Sequence, residues 1–144
     1  MEWNGRQGIL SDRGITWVLN SNHFDRNGCE GARFQGSKHI NIVGNAFVRD
    51  GWRVLDHEKS VGLAVEDSCG VSIQSNVFRS LAGDSGQKTR HSPDFNMQLR
   101  GLDTAVVSGN VMYQAAVVQN ILDEGGHTQL ILKDNPGSLA AENC

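Results

Sequence analysis

Residues 39–47 read His-Ile-Asn-Ile-Val-Gly-Asn-Ala-Phe, and variants of this phrase recur along the chain. Apolar and polar residues alternate up to Val43, which is the period of a β-strand, and an Asn then stands two residues before Phe47. The Asn of each copy falls at Asn22, Asn45, Asn76, Asn110 and Asn135. The spacings of 23, 31, 34 and 25 residues are typical of repeat proteins whose units stack into a solenoid.

Counting back from each Asn assigns the neighbouring residues to two strands. Residues three and five positions before the Asn are predicted to face inward, as Ile40 and Ile42 do before Asn45. A second inward pair lies eleven and thirteen positions before the Asn in four of the five repeats, at Ile9/Ser11, Ala32/Phe34, Leu63/Val65 and Met97/Leu99. The last repeat follows this rule only loosely, with a strand predicted over 117–122. Stacked coils require one shared register, because a slip of one residue would turn each pair outward.

The repeated Asn has a predicted structural role at the bend after the second strand. Amides stacked on successive coils can hydrogen-bond to one another and to the turn backbone, which satisfies polar groups that would otherwise be buried unpaired. Asn also tolerates the left-handed backbone conformation that a sharp corner can demand. The Phe or Met two residues later is expected to form a column beneath the turn, at Phe24, Phe47, Phe78 and Met112.

Composition fits one domain with many tight turns and excludes several functions. The chain has 144 residues, a net charge of −3 and 17 Gly, and its scattered charges argue against a nucleic-acid interface, which would need a basic stripe. No apolar run approaches the ~20 residues of a membrane span, and the polar start predicts no signal peptide. The three Cys lack the spacing of a disulfide framework or a zinc site, so no metal or other cofactor is predicted.

Residues 37–47 resemble the repeat of the pectate-lyase-like parallel β-helices, and the resemblance covers 8–136. It implies an all-β fold, a right-handed single-stranded parallel β-helix of about five coils, forming one domain over 1–144. Such proteins are usually longer, so the chain is expected to correspond to the C-terminal part of a longer β-helix or to a short relative. The competing interpretation, β-hairpins in a sandwich, is disfavoured because repeats of one phrase favour stacking.

The resemblance is specific for fold and not for function. The superfamily includes polysaccharide lyases, glycoside hydrolases, uronan epimerases, phage tailspikes and adhesins, which implies an extracellular or surface location. The paired Asp, Gly-His-Gly and Arg-Ile-Lys motifs of its pectin-cleaving hydrolases are missing here, as is the calcium-binding acid cluster of its pectate lyases. No catalytic residue is therefore carried over from the family.

The outward residues of the first strand predict a polar face. Glu66 should lie beside Arg100, because neighbouring coils are ~4.8 Å apart, and two polar insertions at 51–61 and 82–94 should flank this face. Glu66 is the best candidate for a general acid or base, with His57 or His91 as the second group. The candidate residues for binding a sugar are Arg33, Gln35, Trp52, Arg90, Gln98 and Arg100. The alternatives are an exposed Glu66–Arg100 ion pair of about 0–1 kcal/mol and solvated loops.

The sequence is compatible with two functions. The first is a non-catalytic or weakly active module that binds carbohydrate or is a structural part of a surface or phage-like protein. The alternative is a polysaccharide-acting enzyme, a lyase, glycoside hydrolase or uronan epimerase, with a groove over the first-strand face. The predicted partners are polysaccharide and further copies of the chain, without nucleic acid or membrane. A homo-oligomer is expected because the sequence shows no strong cap and an outward face carries Val18, Val43, Val106 and Ile131.

Overall fold

A computed structural model describes residues 1–51, 59–80 and 92–139, in which fourteen strands and no helix are found. The described residues therefore contain no helix with the length and hydrophobicity that a membrane crossing would require. The strands are β1 (Ile9–Asp12), β2 (Ile15–Asn20), β3 (His23–Asp25), β4 (Ala32–Gln35), β5 (Lys38–Val43), β6 (Ala46–Val48), β7 (Val61–Glu66), β8 (Cys69–Gln74), β9 (Val77–Arg79), β10 (Phe95–Arg100), β11 (Asp103–Ser108), β12 (Val111–Tyr113), β13 (Gln119–Asp123) and β14 (Leu130–Lys133).

These strands form three sheets in which neighbouring strands run parallel. The first sheet has the order β1-β4-β7-β10-β13, the second β2-β5-β8-β11-β14 and the third β3-β6-β9-β12. Each strand therefore lies beside the strand three places further along the chain, and three consecutive strands make one coil. This arrangement supports the general prediction of a parallel β solenoid. The hairpin sandwich is wrong, because hairpins would pair their strands antiparallel.

The predicted register is confirmed in the first and second sheets. Ala32 pairs with Leu63 and Leu63 pairs with Met97, so the residues thirteen positions before each Asn form one column. On the second sheet Ile40 pairs with Val71, each five positions before its Asn. All five side chains are buried in the apolar core. The alternation of the sequence therefore assigns the inward faces correctly.

The last coil departs from this register by one residue. β13 spans Gln119–Asp123 rather than 117–122, and Ile121 is the residue that pairs with Met97. Six residues (124–129) connect β13 to β14, whereas two (36–37) make the equivalent connection from β4 to β5. Counting back from Asn135 therefore falls on Leu122, one residue beyond the inward position.

The third sheet carries the predicted aromatic column. The rings of Phe24 and Phe47 stack with centroids 4.8 Å apart, and those of Phe47 and Phe78 with centroids 4.9 Å apart. Met112 continues the column, since it pairs with Phe78 on the neighbouring strand. These side chains are at most 2% exposed. Because the rings repeat at the spacing of the strands, one residue type can fill the same space on successive coils.

The five repeated Asn residues form the predicted ladder at the corner between the second and third sheets. Asn45 Oδ1 accepts hydrogen bonds from the backbone N–H and Nδ2 of Asn22, at 2.9 and 3.0 Å. Asn76 Oδ1 accepts the equivalent pair from Asn45 at 2.9 and 3.0 Å. Asn76 Nδ2 also donates to the carbonyl of Ile42 on the preceding coil at 2.9 Å. Each step of the ladder thus satisfies buried backbone and side-chain groups together.

The left-handed backbone conformation lies on the residue before each Asn. Ser21, Gly44, Ser75, Gly109 and Asp134 have φ between 53° and 66°, whereas none of the five Asn residues has a positive φ. The corner therefore places the left-handed conformation on the residue before the Asn and not on the Asn itself. The Asn side chain forms the ladder, and a neighbour that tolerates positive φ makes the bend.

The connections between strands differ in how much their lengths vary. Two residues link the second strand to the third in each of four coils (21–22, 44–45, 75–76 and 109–110). The connection from the third strand to the next first strand varies much more, with six residues at 26–31, twelve at 49–60, fifteen at 80–94 and five at 114–118. Both insertions predicted from the sequence therefore belong to this one connection.

Candidate functional site

The outward face of the first sheet brings together the polar residues that the sequence predicted there. Gln35 pairs with Glu66, and Glu66 pairs with Arg100 on the next strand. On the same strands Arg33 and Gln98 flank Ala64. These residues lie on the neighbouring strands β4, β7 and β10, so their predicted positions are confirmed. Their roles in binding or catalysis stay predictions.

Glu66 lies at the centre of this face and is buried, with 2% of its side chain exposed. Arg33 Nη2 donates to Glu66 Oε2 at 2.6 Å. Gln98 Nε2 donates to Oε1 at 3.3 Å, and Arg100 Nη2 lies 3.4 Å from the same oxygen. The alternative of an exposed ion pair is therefore wrong for Glu66. A buried carboxylate needs such partners, because removing its charge from water without them would cost several kcal/mol.

Arg33 connects Glu66 to a second buried carboxylate. Arg33 Nη1 donates to Glu30 Oε1 at 2.8 Å, and Glu30 is 2% exposed. Glu30 Oε2 has no hydrogen-bond partner among the described residues. Burial raises the pKa of Glu30, while its own backbone N–H and Arg33 act in the opposite direction. The sequence rule missed Glu30 because it lies in the connection before β4, where counting from the Asn gives no face.

Contacts on the other side of Glu66 lead to the last coil. Gln98 Nε2 donates to Glu124 Oε2 at 2.6 Å, and Glu124 forms an ion pair with Lys59. Hydrogen bonds from Lys59 and Gln98 lower the pKa of Glu124. Lys59 belongs to the first predicted insertion, whereas Glu124 comes from the irregular connection after β13. The Gln98 amide therefore donates to both Glu66 and Glu124 and is only 6% exposed.

The accessible part of the first-sheet face lies towards β1. A depression of about 460 Å³ is lined by Arg6, Gln7, Leu10, Arg33 and Gln35. Arg6 and Gln35 are exposed, and Leu10 is 61% exposed. We call this depression the β1 depression. It combines guanidinium donors, amide donors and acceptors, and an apolar side chain, whereas the neighbouring Glu66 is out of reach of solvent.

Four residues of the predicted site lie outside the described residues, namely Trp52, His57, Arg90 and His91. Their predicted roles in stacking on a sugar, in acid–base chemistry and in binding stay predictions. Within the described ranges, no group of three or more His, Cys, Asp or Glu side chains could hold a metal ion.

The outward face of the second sheet is a separate, mainly apolar surface. A depression of about 520 Å³ is lined by residues from β8, β11 and β14, including Val106 and Ile131. Val18 is 65% exposed and Ile131 56% exposed, and Val43 is half-buried. The side chains predicted to make this face apolar therefore do lie on the surface.

Comparisons with known proteins assign no family to this chain. No protein-family model matches it, and no curated protein and no solved structure matches it either. The resemblance to the pectate-lyase-like superfamily therefore stays a prediction. The features of the structure that bear on function are the β1 depression, the buried charges beside it and the apolar second-sheet face.

Proposed function

We propose that the chain is a right-handed single-stranded parallel β-helix of about five coils that acts as a non-catalytic carbohydrate-binding module. Three parallel sheets with one strand each per coil support the fold. The observation that carries the function is the β1 depression, which is open and polar beside a carboxylate that is not accessible. Its volume of about 460 Å³ lies within the usual range for small-ligand sites.

The β1 depression has the chemistry that sugar hydroxyls require. Each hydroxyl both donates and accepts, and a Gln amide can meet both needs, while an Arg guanidinium supplies donors. Arg33 and Gln35 are two residues apart on β4, so their side chains extend from the same face. The exposed Leu10 offers an apolar surface to the C–H groups of a sugar ring. A short stretch of a polysaccharide chain is the ligand that fits this combination.

The contacts of Glu66 favour binding over catalysis. A general acid or base must come within ~2.6–3.2 Å of the proton that it transfers, and both oxygens of Glu66 face Arg33, Gln98 or Arg100. A lyase, hydrolase or epimerase would have to exchange these partners for substrate. The enzyme alternative therefore requires a rearrangement that the binding proposal does not.

A glycan array followed by calorimetric titration of the best ligand tests the proposal. We expect the double variant Arg6→Ala, Gln35→Ala to weaken binding by tenfold to a hundredfold, because lost hydrogen bonds of ~0.5–1.5 kcal/mol each translate into about tenfold per 1.4 kcal/mol. Lys133→Ala, on the second sheet, is the matched control and should bind as the wild type does.

Two outcomes would contradict the binding proposal. One is an array without any glycan bound above background. The other is turnover of an acidic polysaccharide, detected as new reducing ends or unsaturated uronate, that Glu66→Gln abolishes while the variant stays folded. The second outcome would favour the enzyme alternative.

We also propose that copies of the chain associate through the second-sheet face. Five strands at ~4.8 Å and about six residues at ~3.3 Å make a face of roughly 20 Å by 20 Å. This is about half of the ~800 Å² per partner in a standard interface, so a weak homo-oligomer is expected. The exposed Val18 and Ile131 supply the apolar contact.

Sedimentation equilibrium over a wide range of micromolar concentrations measures this association. We expect a concentration-dependent dimer or trimer in the wild type, and at least a tenfold weaker association in Val18→Asp, Ile131→Asp, because each Asp would have to lose its hydration in the interface. Arg6→Ala, which lies away from this face, should associate normally. A wild type that stays monomeric at all these concentrations would rule the interface out.

A further inference from the structure

A second, shorter ladder runs along the corner between the third and first sheets. Asn27 Oδ1 accepts a hydrogen bond from Asn4 Nδ2 at 2.7 Å. Asp50 Oδ1 accepts hydrogen bonds from the backbone N–H and Nδ2 of Asn27 at 3.0 and 2.7 Å. Asp50 therefore takes the position that an Asn holds on the preceding coil, with its Oδ1 as the equivalent of the amide oxygen.

The second carboxyl oxygen of Asp50 stands where the other ladder residues have an N–H donor. Asn27 Nδ2 donates to the carbonyl of Met1 at 3.1 Å, as Asn76 Nδ2 donates to the carbonyl of Ile42 at 2.9 Å. Asp50 Oδ2 is buried and has no hydrogen-bond partner among the described residues. Packing is close around it, since a side-chain Cβ at Gly31 would come within 2.7 Å of Oδ2.

The described charged groups at this corner are engaged with one another. Arg49 donates to both carboxylate oxygens of Asp25, at 3.1 and 2.8 Å, and Arg26 donates to Asp25 Oδ2 at 3.1 Å. Glu30, on the neighbouring connection, forms its ion pair with Arg33 instead. Asp50 thus lies beside a network in which Asp25 is already paired with two arginines. The negative charge of Asp25 disfavours a second negative charge on Asp50.

Burial raises the pKa of Asp50 to about 7. Hydrogen bonds from Asn27 and from the backbone of Val48 act against this effect, and the charge of Asp25 adds to it. The side chain is 1% exposed, so solvent does not screen these effects. The direction agrees with the geometry, because a proton on Oδ2 would give that atom the donor that its ladder position requires.

We propose that Asp50 is a neutral carboxylic acid in the folded protein, that the proton on its Oδ2 completes the second ladder, and that loss of this proton weakens the corner leading into β7. Gly51, the next residue, donates to the carbonyls of Asn27 and Cys29. Ser60 Oγ donates to the Gly51 carbonyl at 2.5 Å. The strand β7, which carries Glu66, therefore begins next to this corner. Protonation of Asp50 makes the packing of the start of β7 depend on pH.

The sign of the pH dependence follows from the protons bound by each state. An unfolded Asp has a pKa of 3.8, so between pH 4 and 7 the folded chain holds a proton that the unfolded chain has lost. The stabilisation that this proton contributes is therefore complete below the unfolded pKa of Asp and is lost as pH rises to about 7. Over this range the folding constant falls by up to tenfold per pH unit. Burial also raises the pKa of Glu30, which acts in the same direction, so a variant must isolate Asp50.

Urea denaturation of the wild type and of Asp50→Asn at pH 4.5 and pH 8 makes the test. We expect the unfolding constant of the wild type to rise about two-hundredfold from pH 4.5 to pH 8 through this group. Asp50→Asn should lose this part of the rise and be the more stable protein at pH 8, because its Nδ2 supplies the missing donor. Asp12→Asn is the control, since Asp12 is 60% exposed and should leave the pH dependence unchanged.

Carbon-13 NMR of the Asp carboxyl groups keeps the proposal testable if Asp50→Asn does not fold. In the wild type we expect one Asp carboxyl to titrate near pH 7. Titration of all Asp carboxyls below pH 5 would overturn the proposal, as would an Asp50→Asn protein whose stability varies with pH as much as that of the wild type.

Discussion

We expect Phe47→Ala to lower the free energy of unfolding by about 3–5 kcal/mol, the usual loss for a buried aromatic residue. Phe47 is 2% exposed and lies between the rings of Phe24 and Phe78. The substitution leaves a cavity and also removes two aromatic contacts, each worth ~0.5–1.5 kcal/mol. Equilibrium urea denaturation followed by circular dichroism measures the loss.

Two further variants on the same sheet are the controls for Phe47→Ala. Phe47→Leu keeps most of the buried volume and should cost clearly less. Val77→Ala changes an outward residue that is 42% exposed, and it should alter stability by at most about 0.5 kcal/mol. A loss below about 1.5 kcal/mol for Phe47→Ala would show that the column is not packed as described.

Asn76→Ala has the second large expected effect, about 2–6 kcal/mol, because it leaves two buried backbone groups without the partner that they have in the ladder. These are the backbone N–H of Asn45, which donates to Asn76 Oδ1, and the carbonyl of Ile42, which accepts from Asn76 Nδ2. Asn45 Nδ2 also loses its bond to Asn76 but keeps its bonds to the carbonyls of Leu19 and Val43. Each buried group left unpaired costs ~1–3 kcal/mol. The same urea titration measures this loss.

Asn22→Ala is the matched control for Asn76→Ala. Asn22 stands at the first position of the ladder, and its side chain contributes donors to Asn45 Oδ1 and to the carbonyl of Asn20. The Asn45 oxygen keeps its bond to the backbone N–H of residue 22, so the variant should cost about 1 kcal/mol. Equal losses for Asn22→Ala and Asn76→Ala would mean that burial within the ladder has no energetic effect.

The sequence predicted correctly which residues face inward where the strands follow a strict period of two. A pleated strand alternates its faces, and counting from Asn45 or Asn76 therefore found Ile40, Leu63 and their partners. The count erred at Ile121, where a longer connection shifts the strand by one residue. Propensity alone also cannot tell which of two adjacent residues takes the left-handed conformation at the bend, which here is the residue before the Asn.

The candidate site was predicted in position but not in environment. The register placed Glu66 beside Arg100 correctly. Its burial depends on how long side chains such as Arg33 and Gln98 fold over a strand, which the period does not encode. Glu30 and Asp50 could not be found by counting, since both lie in the connection whose length varies from coil to coil.

The variable connection, from a third strand to the next first strand, is where this fold can accept inserted residues. Extra residues placed between a third strand and the next first strand leave the Asn ladder and the aromatic column in register. Asn45 lies in the two-residue corner 44–45, Phe47 follows it on β6, and the equivalent corner has the same length in three other coils. The same insertion within that corner would displace Phe47, and Asn45 with it where the insertion precedes Asn45, relative to β5 and would break the columns. Segments grafted into this connection should therefore be accommodated without loss of folding where they spare its buried residues, such as Asn27, Glu30 and Asp50, which makes it the place where new specificity can be engineered.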